Sequence, residues 1–330
     1  MEFLGNYSLF LAKLVSVVAF ILIILFSFLN AFKYSKEKSK VKLDIRKLND
    51  KYEEYNRILS HAIDNKHELK LRLKFQKKDK KRKIKSKESK KRIFVLDFNG
   101  DIHASSVEKL REEVTALLIV ANKEDEVLIR LESSGGMVHS YGLAASQLQR
   151  IKEADIKLLV AIDKMAASGG YLMACVADWI IAAPFAIVGS IGVLAQLPNF
   201  HRYLQKKSID FEQITAGEHK RTLTLFGENT EEGRAKMRQE VEEIHTLFKN
   251  FIKEHRKVVD IEQVATGKHW CASQAIHLKL VDELKTSDAY LLKARQKCDL
   301  YEIYYRVKHP LSKRFIYGLN QVYYQFLRIY

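Results

Sequence analysis

Cysteine is scarce in this chain. Cys175, Cys271 and Cys298 are the only three in 330 residues. They are odd in number and widely spaced, which excludes a disulfide framework, and no pair has metal-ligand spacing. Net charge is missing from most of the chain as well. Residues 33–92 hold 24 Lys and Arg against 9 Asp and Glu, a net of +15, while the whole chain carries +16. The other 270 residues are therefore near neutral, which excludes a protein that is basic throughout, as nucleic-acid binders are. The basic segment offers no aromatic-interleaved basic face. Neither a nucleic-acid partner, nor a cofactor, nor a metal is expected.

The N-terminus lacks the parts of a cleaved signal peptide. No positive n-region precedes its apolar run, because Lys13 and the α-amine are offset by Glu2, and no small-x-small site ends it. What is present is a long apolar stretch. From Leu14 to Leu29 only Ser16 and Ser27 are polar, and Tyr7–Phe32 contains one charge, Lys13. About 20 apolar residues cross a bilayer core, and Lys13 can snorkel to its edge. Residues 1–32 read as an uncleaved single-pass membrane anchor. Lys33, Lys36, Lys38, Lys40, Lys42, Arg46 and Lys47 crowd its C-terminal flank. Taken alone, the positive-inside rule puts the rest of the chain in the cytoplasm.

Residues 33–92 form a basic linker. Val41, Ile45, Leu48, Tyr52, Tyr55, Leu59 and Ala62 alternate in steps of 4 and 3, a heptad-patterned helix. Such a helix either joins subunits as a coiled coil or packs on its own domain. Lys77–Arg92, mostly Lys and Arg, reads as a solvated tether that also suits anionic headgroups.

Residues 93–290 read as an α/β body. Ile93–Phe98, Val127–Leu131, Leu158–Ile162 and Trp179–Ala182 are strand-like, as is Phe211–Thr215. Ser106–Val120, His139–Lys152, Ser168–Ala177 and Thr230–His255 are helical in period. Strand-then-helix alternation implies crossover connections and a mostly parallel sheet. In such folds the site lies at the carboxyl ends of strands. Two Gly-Gly turns fall there, in Ser133-Ser-Gly-Gly136 and Lys164–Gly170.

Ser168, in Ala167-Ser-Gly-Gly-Tyr171, is the candidate nucleophile. A serine hydroxyl attacks poorly until a base takes its proton. Lys220, 52 positions later, is the candidate base. A lysine serves as one only when neutral, so its ordinary value of about 10.4 must fall by burial. Ser190, in Gly189-Ser-Ile-Gly192, is the candidate that orients the amine. The Gly169 amide, with Gly135 or Gly136, is a candidate oxyanion donor. Met137 and Val138 are candidates for pairing with an extended peptide as an added strand.

Four elements in this order, Ser-Gly-Gly-Met-Val, Ala-Ser-Gly-Gly-Tyr, Gly-Ser-Ile-Gly-Val and Ala-Gly-x-x-Lys, closely resemble the signal peptide peptidase A/SohB family of membrane serine peptidases. The resemblance covers roughly residues 90–290. It implies a ClpP/crotonase-like fold and ring-shaped homo-oligomers. It also implies a serine endopeptidase with Ser168 as nucleophile, Lys220 as general base and Ser190 bonded to the lysine. Gly135-Gly136 then supplies an oxyanion donor. Substrates would be peptides or membrane-associated proteins. Signal-peptide clearance is usually pictured at the periplasmic face, so the side of the membrane stays open. Thr266–Trp270 and Ala275–Asp282 are similar to a structural segment of the family. Two positions depart from its pattern: Ser134 stands where proline is common, and Lys268 where arginine is usual.

Two other readings remain. His201 or His219, with Asp163 or Asp178, would make a histidine-based triad. A crotonase-type fold also suits a silent scaffold or an acyl-CoA-binding protein. The tail, residues 291–330, is rich in aromatic and basic residues and reads as an interfacial or inter-subunit helix.

Overall fold

The computed structural model describes residues 10–11, 13–22, 41–65, 67–68, 70–71, 74, 90–217 and 222–307. The chain divides into two units, residues 1–44 with 305–330, and residues 45–304. In the first unit residues 13–22 are helical, and every large apolar side chain from Leu14 to Leu22 is exposed. Among the described residues no helix is long and apolar enough to cross a membrane. The rest of the expected anchor, residues 1–9, 12 and 23–32, lies outside them, as do 75–89 of the tether and 308–330 of the tail.

The strands run in chain order β1 (Val41–Lys47), β2 (Arg92–Gly100), β3 (Glu126–Ser133), β4 (Lys157–Ile162) and β5 (Met165–Ala167). There follow β6 (Trp179–Ala182), β7 (Ile187–Gly189), β8 (His269–Cys271), β9 (Glu283–Leu284) and β10 (Asp299–Val307). The helices are α1 (Leu48–Ile63), α2 (Val107–Val120), α3 (Val138–Glu153), α4 (Gly169–Ala174) and α5 (His201–Lys206). After them come α6 (Glu231–His255), α7 (Ile261–Val264), α8 (Ala272–Ala275) and α9 (Ser287–Ala294).

The main sheet has the order β1-β10-β2-β3-β4-β6-β9. Every pairing from β10 to β9 is parallel. Parallel sheets are covered on both faces, so their strands read as continuous apolar runs. β2 shows why. Its Phe94, Leu96 and Phe98 enter the larger core with Val107, Leu110, Val114 and Leu117 of α2 and Tyr141, Leu148 and Ile151 of α3. Its Ile93 and Val95 enter a smaller core with Leu48, Leu128, Leu159 and Leu291. The 3-and-4 spacing of the α2 and α3 residues puts each set on one helix face.

The sheet forks at the carboxyl end of β3. Glu126–Arg130 pair with β4, but Ser133 pairs with Ala166 of β5. β5 pairs in parallel with β7, which pairs antiparallel with β8. This short branch brings the ends of β3, β5 and β7 together.

Several elements differ from the sequence expectation. Val41–Lys47 is strand, and helix starts only at Leu48. Val41, Leu43 and Ile45 also alternate with period 2, and strand pairing takes that period rather than the heptad. α1 packs on its own domain through its first turn. Leu48 is 4% exposed, Asn49 Nδ2 donates to the Cys298 carbonyl at 3.1 Å, and Leu300 N donates to Asn49 Oδ1 at 2.7 Å. Phe211–Thr215 has no regular structure, although the Phe211 ring meets Phe226 at 5.7 Å. The sheet also runs past residue 290. Tyr301, Tyr304 and Tyr305 lie in β10, not in an interfacial helix. Leu300 and Ile303 are buried there, because aromatic and β-branched residues suit a strand as well as an interface.

One buried ion pair locks the Ala275–Asp282 segment. Asp282 accepts both arms of Arg256, at 2.9 and 3.0 Å, and the Ile180 N–H at 2.7 Å. Removing one partner strands a buried charge, which costs about 3–5 kcal/mol. Asp282→Ala is expected to lower the unfolding free energy by about that much in urea denaturation. A loss below about 1 kcal/mol would show that solvent replaces the carboxylate.

Candidate active site

Ser168 stands between β5 and α4 with φ +52° and ψ −120°. A non-glycine residue held there stores about 1–3 kcal/mol and survives only where its surroundings over-determine it. Those surroundings are visible. Ser168 N donates to the Gly189 carbonyl at 2.8 Å, and Leu172 N donates to the Ser168 carbonyl at 3.0 Å. Strand, strained serine and helix in succession lift a hydroxyl out of the backbone, as in a nucleophile elbow. Ser168 is partly exposed, and Gly169 begins α4. First-turn N–H groups of a helix have no intrahelical partner, so the Gly169 amide is open to an external acceptor.

The Ser133–Gly136 turn lies directly against this elbow. A Cβ built on Gly135 would sit 2.7 Å from Ser168 Cβ and 2.8 Å from Gly169 N. Gly135 also has φ +88°, a conformation that glycine adopts without strain. Gly135 thus keeps clear the space in front of the Gly169 amide. Its own N–H is committed, donating to Ser133 Oγ at 3.0 Å. Of the expected glycine pair, it is Gly136 whose N–H makes no hydrogen bond among the described residues. Gly136 is glycine for a second reason, since a Cβ there would stand 2.1 Å from the Ile102 carbonyl oxygen.

Met137 and Val138 do not form an edge for an added strand. Met137 N donates to the Ile102 carbonyl at 2.8 Å, and the Met137 carbonyl accepts from Ser140 and Tyr141. Val138 is the first residue of α3. The Gly-Gly turn feeds straight into a helix, which consumes the backbone groups a peptide would need. Their side chains, 40% and 49% exposed, and the Val138 N–H, which makes no hydrogen bond among the described residues, remain to touch a ligand.

Ser190 leaves β7 beside Ser168. Ala167 and Gly189 are in register on parallel strands, so the two serines follow paired positions. Neighbouring strands lie about 4.8 Å apart. Ser190 also has φ +52°, and its N–H donates to the Lys268 carbonyl at 2.7 Å. Segment 266–270 is what holds it. Gly267 N donates to the Ile191 carbonyl at 3.0 Å, and a Cβ on Gly189 would strike the Trp270 ring at 2.7 Å.

Lys220 and His219 lie outside the described residues. The other rivals for base and orienter are engaged elsewhere. His201 Nδ1 donates to the Phe226 carbonyl at 3.3 Å. Asp163 accepts from both N and Oγ of Ser287. Asp178 accepts from Leu158 N at 2.8 Å and pairs with Lys152. Asp178 also precedes β6, at the amino end of the sheet and away from the elbow. No group of three or more His, Cys, Asp or Glu that could hold a metal occurs among the described residues.

Sequence reasoning missed the roles of two buried residues that the fold brings to the elbow, Tyr141 and Ser133. Tyr141, on α3, lies under Gly169, where a Cβ would strike its Cγ at 2.4 Å. Its hydroxyl is bonded to Ser133 Oγ and to the Asp101 carbonyl. Burial raises that hydroxyl above its ordinary value, so it remains a protonated donor. Nothing in the helical pattern separates Tyr141 from any other core aromatic.

Comparison with known proteins bears on the whole chain. The model of the "Peptidase family S49 N-terminal" family matches residues 2–148, and that of "Peptidase family S49" matches 150–301. The chain is 47% identical to the "Probable protease SohB" of Haemophilus influenzae, over 95% of this chain and 92% of that protein. It is 50% identical to the protein of that name from Buchnera aphidicola subsp. Acyrthosiphon pisum, over 96% and 94%. Among solved structures, a 1510-N membrane-bound stomatin-specific protease aligns with a TM-score of 0.44 and 12% identity, over 71% of this chain and all of that one.

Proposed function

The chain belongs to peptidase family S49, and on that premise we propose that it is a membrane-anchored serine endopeptidase with a Ser168–Lys220 dyad. The observation that carries the reading is the elbow: Ser168 at φ +52°, with Gly135 against its Cβ and the open Gly169 amide beside it. The forked sheet supports a ClpP/crotonase-like architecture. The exposed apolar helix of residues 13–22 supports an N-terminal transmembrane anchor.

The proposed chemistry follows from these groups. Neutral Lys220 takes the proton of the Ser168 hydroxyl as Oγ bonds to the scissile carbonyl carbon. The carbonyl oxygen becomes an oxyanion, met by the Gly169 and Gly136 N–H groups. The C–N bond then breaks, and the leaving amine receives the proton from Lys220. Water, deprotonated by the Lys220 amine, then attacks the acyl carbon, the ester C–O bond breaks, and Lys220 returns the proton to Ser168 Oγ as the acid leaves. Ser190 holds the lysine amine. The substrate class is a peptide or membrane-associated protein, and the assembly is a homo-oligomer.

A silent scaffold or acyl-CoA binder is the competing reading. The detergent-solubilised full chain is expected to release peptides from an unfolded apolar protein, at a rate that added acyl-CoA does not change. Binding of acyl-CoA without peptide release would favour the competitor instead.

A further inference from the structure

We propose that Tyr141 and Ser133 are positioning residues that set the oxyanion donors of this site. The inference rests on the hydrolase reading above and deepens it.

The polarity of the bonds is fixed by one group. The Asp101 carbonyl only accepts, so the Tyr141 hydroxyl must donate to it, at 2.8 Å. Tyr141 Oη is then left as acceptor for the Ser133 hydroxyl. Ser133 Oγ, having donated its proton, accepts the Gly135 N–H at 3.0 Å. The chain runs from the Gly135 amide through two buried hydroxyls to the Asp101 backbone, with every proton used once. Ser133 is 2% exposed and Tyr141 0%, so no solvent competes for these bonds.

Both proposed donors are reached from this pair. By holding the Gly135 amide on Ser133, the chain orients the next peptide, which carries the Gly136 N–H. The Tyr141 ring also forms the floor under Gly169, where there is no room for a side chain. The Gly170 backbone is packed on Ser133 in turn, since a Cβ there would stand 2.7 Å from the Ser133 carbonyl. One tyrosine thus braces both sides of the oxyanion position, and its ring and hydroxyl have separate tasks.

The test separates the hydroxyl from the ring. Tyr141→Phe keeps the ring under Gly169 and removes the anchor of the chain. Ser133→Ala breaks the chain one bond nearer the glycines. Misplacement of reacting groups by about 1 Å costs on the order of 10²-fold. Each variant is expected to lose kcat by roughly that factor with KM nearly unchanged, measured well below its melting temperature. The double variant is expected to lose little more than either single one, because both act through one chain. Labelling of Ser168 by a fluorophosphonate should slow in parallel.

A labelled wild type whose two variants keep wild-type kcat and labelling rate would overturn this inference alone. So would losses that only track the unfolded fraction, the mark of a merely structural role. A wild type that is not labelled at Ser168 would overturn the hydrolase reading and this inference with it.

Discussion

Lys220→Ala is expected to lose peptidase activity by about 10⁴-fold or more, with cooperative unfolding retained. Removing one member of a nucleophile–base unit disables the whole unit, and only oxyanion and binding contributions survive. Lys220→Arg is expected to be as inactive as the alanine variant. A guanidinium stays charged at any working pH and cannot take the serine proton. The arginine variant therefore separates two roles. A lysine that only supplied positive charge would be replaced by arginine with partial activity, whereas a lysine that moves a proton would not. His201→Ala is the matching control, with activity expected unchanged, because the described hydrogen bonds of His201 run to Asn199 and Phe226 and none reaches Ser168. Steady-state hydrolysis of one peptide by the three variants, with melting curves alongside, decides among these outcomes.

Gly135→Ala is expected to cost about 10³-fold in kcat, the upper range for losing one oxyanion donor. Its methyl would sit 2.7 Å from Ser168 Cβ and 2.8 Å from Gly169 N, with an Ala167 carbonyl at 2.9 Å on another side. None of these is the far end of a flexible side chain, so the elbow itself must move. The backbone adds about 1–2 kcal/mol of left-handed strain at φ +88°. The effect on turnover should therefore far exceed the effect on stability. Gly142→Ala is the internal control. It lies within α3 with nothing within 4 Å of the added methyl, and is expected to gain about 0.5–1 kcal/mol with activity unchanged. Equal losses at both glycines would contradict the geometry claimed for Gly135.

The parts of the fold legible in the sequence were those with long, strongly patterned segments. β2, β3, β4 and β6, and helices α2, α3 and α6, lie within about two residues of where apolar periodicity puts them. β5 and β8 were not legible, because three residues carry no period, and together with β7 they build the fork that shapes the site. β10 was hidden by composition, as its tyrosines and charges mimic an interfacial tail while Leu300 and Ile303 close the core. α1 was half legible. Its apolar residues mark a helix, but only the tertiary contacts of Leu48 and Asn49 show where that helix docks.

The candidate site shows the same division. Ser168, Ser190 and Gly135 could be marked from short motifs, since glycine beside serine at a strand end has few other uses. Which glycine keeps a free N–H could not be read, because the Ser133 hydroxyl decides it. Tyr141 had no local signal at all. Its link to Asp101, Ser133 and Gly169 exists only once α3 is laid across the ends of β3 and β5.

The central claim, that Ser168 is a nucleophile served by Lys220, is tested most directly by covalent labelling. The full chain in detergent is treated with a fluorophosphonate, and the site and rate of modification are read by mass spectrometry. One adduct on Ser168 is expected in the wild type, slowed by about 10³-fold or more in Lys220→Ala and absent in Ser168→Ala. An adduct elsewhere, or wild-type labelling of Ser168 in the lysine variant, would contradict it.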